Sequence, residues 1–200
     1  MTCSDATEPP EQPEPLPTLA DMSRTSLVFM LLVFYGSFLG LALFIGWWRS
    51  ESLLAHPARL PESVALGCLC GFVVSLLCRL LVFLPLWRAL VLELRALLGP
   101  LDLVSTAAMA LASGLGEEAL FRGALQPWLG LVPAAILFGC VHVPLKRTLQ
   151  PWPFFAAAVG LLFGWLTVLT GTWVSAAMAH CVVNFINIRW MCSFGPSKVT

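Results

Sequence analysis

Three short stretches hold most of the chemistry available to this chain. GLGEEALFRGAL, residues 114–125, sets Glu117, Glu118 and Arg122 inside an otherwise apolar run. FGCVH, residues 138–142, spaces Phe138 and His142 four apart, and HCVVN, residues 180–184, does the same for His180 and Asn184. A carboxylate, two imidazoles and an amide are enough to hold a water, take its proton and steady a developing oxyanion. Two imidazoles and a carboxylate also form a catalytic zinc set with one position open to water. In that version Glu117, His142 and His180 are the ligands.

Charges in such a run are costly. A charge at the centre of a membrane helix costs about 2.5–3.5 kcal/mol on insertion scales. Three unpaired charges would cost roughly 8–10 kcal/mol, comparable to the stability of a whole domain. They must therefore face protein or a wet cavity. Glu118 and Arg122 are four apart and share a helix face, so they can pair. Glu117 is turned about 100° from Glu118 and is left free. Gly114, Gly116 and Gly123 thin the helix and let neighbours approach. Each feature also has a structural explanation. A lone membrane histidine hydrogen-bonds a carbonyl, Asn184 alone joins helices, and Glu118–Arg122 alone is an internal brace. The set on three helices shifts the weight, because intramembrane ionisable groups default to function.

The elements that must position these groups are helices in a membrane. The chain has 200 residues, 58% hydrophobic and 11% charged, against about a quarter charged in soluble domains. Formal net charge is zero, so a nucleic-acid partner has no electrostatic support. The cysteines lie mostly in apolar segments with no Cys-x-x-Cys pair, which argues against disulfides and a Cys-rich metal cluster. Residues 1–23, rich in Pro and Glu, read as a disordered tail, and residues 24–200 as one integral-membrane domain. Spans are expected at 26–48, which ends on Trp47 and Trp48, and at 63–84, with Arg79 snorkelling near its end. Residues 86–98 have the amphipathic spacing of an interfacial helix. Four more helices are expected at about 102–125, 130–143, 154–170 and 173–190. The fold class is thus all-α, a multi-pass bundle of about six membrane helices.

With six crossings, one side holds Arg24, Arg88, Arg95, Lys146, Arg147, Arg189 and Lys198, and the other only Arg49 and Arg59. That asymmetry puts both termini in the cytoplasm of a cell-membrane protein. His56, the remaining histidine, precedes Pro57 in a loop and reads as solvated.

Glu117-Glu118-Ala-Leu-Phe-Arg122, Phe138-Gly-Cys-Val-His142 and His180-Cys-Val-Val-Asn184 resemble, in order, the three motifs of the CAAX prenyl protease and bacteriocin-processing family of intramembrane proteases. Those motifs are Glu-Glu-x-x-x-Arg, Phe-x-x-x-His and His-x-x-x-Asn. The resemblance covers about residues 105–190 and places a protease-like core at about 102–190. It implies an intramembrane endopeptidase. Glu117 is then the general base, with His142 helping to hold the water. His180 and Asn184 steady the oxyanion, and Glu118 and Arg122 brace the site with Phe138. A carboxylate kept from bulk water is a better base near neutral pH.

The family has been described both as zinc-dependent and as metal-independent. Asn184 suits an oxyanion donor better than a ligand, which favours the metal-independent version. The implied substrate is a peptide or a prenylated protein tail, met among membrane lipids. Two other classes compete: a non-catalytic immunity or peptide-binding membrane protein, and a proton-coupled transporter using Glu117 and His142 as a relay. A transporter should show paired repeats or broken helices, and no convincing repeat is present.

Overall fold

The computed structural model describes residues 18–50, 53, 59–143 and 149–193. Among them every regular element is helical. Residues 1–17 of the expected tail lie outside the described residues, as do His56, Lys146, Arg147 and Lys198. Leu19–Asp21 form a short 3-10 turn, closed where Asp21 accepts from the Thr18 backbone N–H at 2.6 Å.

Helix α1, Arg24–Arg49, starts where the Ser23 hydroxyl accepts the Ser26 N–H, and stops at Ser50 in the left-handed region, φ 55°. Helix α2 is Leu60–Leu81, and α3, Pro85–Leu98, follows as a separate helix with Pro85 in its first turn. Proline suits that position because its missing N–H would have had no partner there. The amphipathic α3 buries Leu90 and Val91 and leaves Leu86 and Leu97 exposed. Helix α4, Leu103–Glu118, is capped by Asp102, whose carboxylate accepts from the Ser105 N–H at 2.6 Å. That bond, with Arg24 beside it, holds the exposed Asp102 carboxyl down at about 2. A π-helical segment, Ala119–Leu125, continues α4 into α5, Gln126–Leu129. The rest is α6, Leu131–Cys140, α7, Pro151–Thr170, and α8, Val174–Ser193.

By length and hydropathy α1, α2 and α7 are able to cross a membrane. A fourth span exists if α3 and Leu103–Leu129, bent by 111° to each other, count as one. The expected count of six is not reached by this measure. Helix α6 has 10 residues, too few to cross alone. Helix α8 has the length but carries His180, Asn184, Asn187 and Arg189.

Helix α8 packs on α2 and α4, and α1 packs on α4 and the π segment. Small residues make the first contact possible. A Cβ at Gly67 or Gly71 would collide with the carbonyl oxygens of Ser175 and Ala179. Close backbone approach of this kind is how helices associate where lipid removes the hydrophobic drive. The outer surface is apolar instead: Phe29, Phe44, Phe72, Phe83 and Phe154 are all exposed.

Candidate active site

The π segment sets the brace. Arg122 is buried, and its Nη1 lies 3.0 Å from Glu118 Oε2 and 3.1 Å from Oε1. Its Nη2 donates to the Gly160 carbonyl of α7 at 3.0 Å, and the guanidinium stacks over Phe138, 4.3 Å from the ring centre. The expected pair therefore forms, but across a wider turn than an α-helix makes. Glu118 also accepts from His180 Nδ1 at 2.8 Å, which ties α8 to the same carboxylate.

Glu117 points elsewhere. Its Oε2 is buried with no hydrogen-bond partner among the described residues. It stands 3.7 Å from Nε2 of half-buried His142. The helix expected over 130–143 ends at Cys140, so His142 sits in the turn beyond it rather than on the helix face. Its ring is fixed all the same. Nδ1 lies 2.6 Å from the Phe138 carbonyl, which can only accept, so Nδ1 carries the proton. In the neutral ring Nε2 is then a bare acceptor facing Glu117. The Phe138 ring packs 4.5 Å from the His142 ring.

Asn184 is oriented from α4. Its Nδ2 donates to the Ser113 hydroxyl at 2.8 Å, and that hydroxyl donates to the Met109 carbonyl at 2.8 Å. Glu117, His142, His180 and Asn184 all line one cavity of about 260 Å³, which runs on along apolar residues of α3. Cys140 is exposed, and Cys181 is buried against Gly114.

The zinc set does not fit this arrangement. Among the described residues no three His, Cys, Asp or Glu side chains converge closely enough to hold a metal ion. His180 gives Nδ1 to Glu118 rather than to a point shared with Glu117 and His142.

Residues 99–186 match the family model for type II CAAX prenyl endopeptidases, Rce1-like. This segment is similar to that family. The match takes in all three motifs and covers under half of the chain. The uncharacterized protein YpbD of Bacillus subtilis (strain 168) is 31% identical over 80 residues, which are 39% of this chain and 41% of YpbD. The chain thus spans about two fifths of that relative's length. No solved structure matches. The apolar helices mark a membrane protein, and the matched segment is similar to a protease family.

Sequence reasoning overlooked two residues near the Rce1-like centre. Ser113 lies four before Glu117, a spacing that could have found it. Tyr35 of α1 also lines the cavity, and it had no local signal.

Proposed function

We propose that the chain is an intramembrane endopeptidase of the CAAX-processing type, hydrolysing a peptide bond near the membrane surface with a water activated by Glu117. One observation carries this reading: the buried, unpartnered Oε2 of Glu117 faces a histidine nitrogen at 3.7 Å. Both atoms accept, so a water that donates one O–H to each satisfies both. As its oxygen attacks the substrate carbonyl carbon, a proton passes to Glu117. Glu117 then returns that proton to the leaving nitrogen as the tetrahedral intermediate breaks down.

His180 and Asn184 are the oxyanion donors in this scheme, and one such donor is worth about 3–4 kcal/mol. The Asn184 amide has a second N–H beyond the one given to Ser113. His180 spends Nδ1–H on Glu118, so it donates from Nε2 only as the imidazolium. Glu118, Arg122 and Phe138 act as the brace. No step needs a metal or a cysteine.

Trp87, Leu90, Leu94, Leu98 and Met191 wall the cavity beside the polar centre. Such walls suit a peptide or a prenylated protein tail entering from the lipid. Residues 24–200 form a single multi-pass domain in the cell membrane, with the protease core at about 102–190. Both termini lie on the cytoplasmic side, as the Lys and Arg asymmetry favours.

The test is cleavage in detergent of a panel of peptides, with and without a prenylated Cys-a-a-X end, by wild type and His142→Ala. Wild type should cleave at least the lipidated members, and the variant should lose most of that turnover. Equal traces from the two proteins across the panel would end the protease reading.

A further inference from the structure

Glu117 has a neighbour outside the Rce1-like segment. Tyr35, on α1, is the chain's single tyrosine. It lines the same cavity as Glu117, and its hydroxyl lies close enough to the Glu117 carboxylate for the two to interact. The contact is built into the packing. A Cβ on residue 116 would meet the Tyr35 carbonyl oxygen at 2.7 Å and its Cβ at 2.9 Å. Only glycine at 116 therefore admits the α1 backbone at this depth, and Gly116 is the chain neighbour of Glu117. The phenol ring is steadied on its own helix by Phe34 and Phe38, with centroids 5.0 Å and 6.0 Å away.

A carboxylate able to take a proton from water must keep one oxygen free and aimed. Glu117 Oε2 is the free oxygen. Glu118 is committed to Arg122 and His180, so the brace has nothing left to hold Glu117. A phenol supplies one O–H donor, enough to pin a carboxylate without blocking both oxygens.

We propose that Tyr35 is a positioning residue for the general base, its hydroxyl donating to the Glu117 carboxylate so that Oε2 stays turned toward the water shared with His142. This rests on the general-base role given to Glu117 above. It also assigns α1 a part in the chemistry, because the base is incomplete without a helix that the matched segment lacks.

Two measurements on the full chain in detergent test it. In the first, Tyr35→Phe is compared with wild type on a cleaved peptide. Loss of a hydrogen bond to an ionised group should lower kcat by about 10- to 100-fold, with KM within about twofold. In the second, the Raman ring doublet of the single tyrosine reads how strongly its hydroxyl donates. Wild type should show a strong donor, and Glu117→Gln should weaken it. The second measurement needs no substrate. If wild type cleaves nothing, the protease reading fails while the Raman comparison still decides the contact. An unchanged kcat in Tyr35→Phe, or the same doublet in wild type and Glu117→Gln, overturns the proposal.

Discussion

Nε2 of His142 stands 3.7 Å from Oε2 of Glu117, too far for a direct hydrogen bond and suited to one shared water. The Phe138 carbonyl makes the relationship one-sided by holding the proton on Nδ1. Neither group is paired with the other in its resting form, so the pair serves a third molecule better than it serves stability. Glu117→Gln keeps the shape and removes the base. Peptide turnover should fall by about 10²–10⁴-fold. Thermal unfolding in the same detergent should stay the same or move up, because a buried carboxylate with Oε2 left unbonded is a cost to the fold. Cleavage at the wild-type rate would remove Glu117 from the chemistry.

Arg122 should behave in the opposite way. It bonds Glu118 and the Gly160 carbonyl and lies over Phe138, so three helical elements depend on it. Arg122→Ala leaves Glu118 buried with His180 alone, and breaking a buried pair in this way costs about 3–5 kcal/mol. Lysine cannot reproduce the planar fork, so Arg122→Lys should recover little of the loss. Unfolding midpoints of the two variants, measured beside wild type, decide the point. A lysine variant as stable as wild type would mean that the charge alone is needed.

The helices were largely legible because apolar length is a local property. The runs at 26–48 and 154–170 lie inside α1 and α7. The end of α6 was misplaced by three residues, although Pro144 gave a warning, since proline disfavours helix in the residue before it. The π segment left no local trace. Its residues are held by tertiary contacts that no local pattern shows: Arg122 reaches Gly160, and Gly123 lies where a Cβ would strike Leu53 and Trp173. Among the site residues, spacing and cost revealed Glu117, Glu118 and Arg122. Spacing did not reveal that His180 would share a carboxylate with Arg122, because that contact joins residues 62 apart.

Ser113 should matter through Asn184. Its hydroxyl accepts from the Asn184 amide and donates to the Met109 carbonyl, which fixes the direction of the amide. Ser113→Ala frees the amide to rotate while keeping its second donor. A kcat loss of about tenfold, smaller than that of Asn184→Ala, is expected, with about 1 kcal/mol of stability lost. If the two variants lose equally, Ser113 contributes more than orientation.

Chelation gives a separate check on the site. Among the described residues no set of His, Cys, Asp and Glu side chains converges to hold a metal at ordinary ligand distances. Dialysis against a strong chelator should leave both peptide cleavage and the unfolding midpoint unchanged. Activity lost on chelation and restored by zinc would require a different arrangement of Glu117, His142 and His180.

The seat of α8 also governs the site, because α8 carries both His180 and Asn184. Gly71 of α2 lies against Ala179, the residue next to His180, where a Cβ would collide with the Ala179 carbonyl oxygen and the Val182 side chain. Gly71→Ala must therefore push α8 outward, and backbone in a packed helix pair yields little. Overpacking of this kind costs about 1–3 kcal/mol. It should also move His180 relative to Glu118, so kcat should drop together with the unfolding midpoint. Gly40→Ala on α1 is the control, since a Cβ there meets nothing within 4 Å. Alanine is the better helix former by roughly 0.5–1 kcal/mol, so that variant should unfold no earlier than wild type and cleave at the same rate. Should Gly71→Ala also keep full activity and stability, α8 would not be held by the backbone contact that seats it against α2.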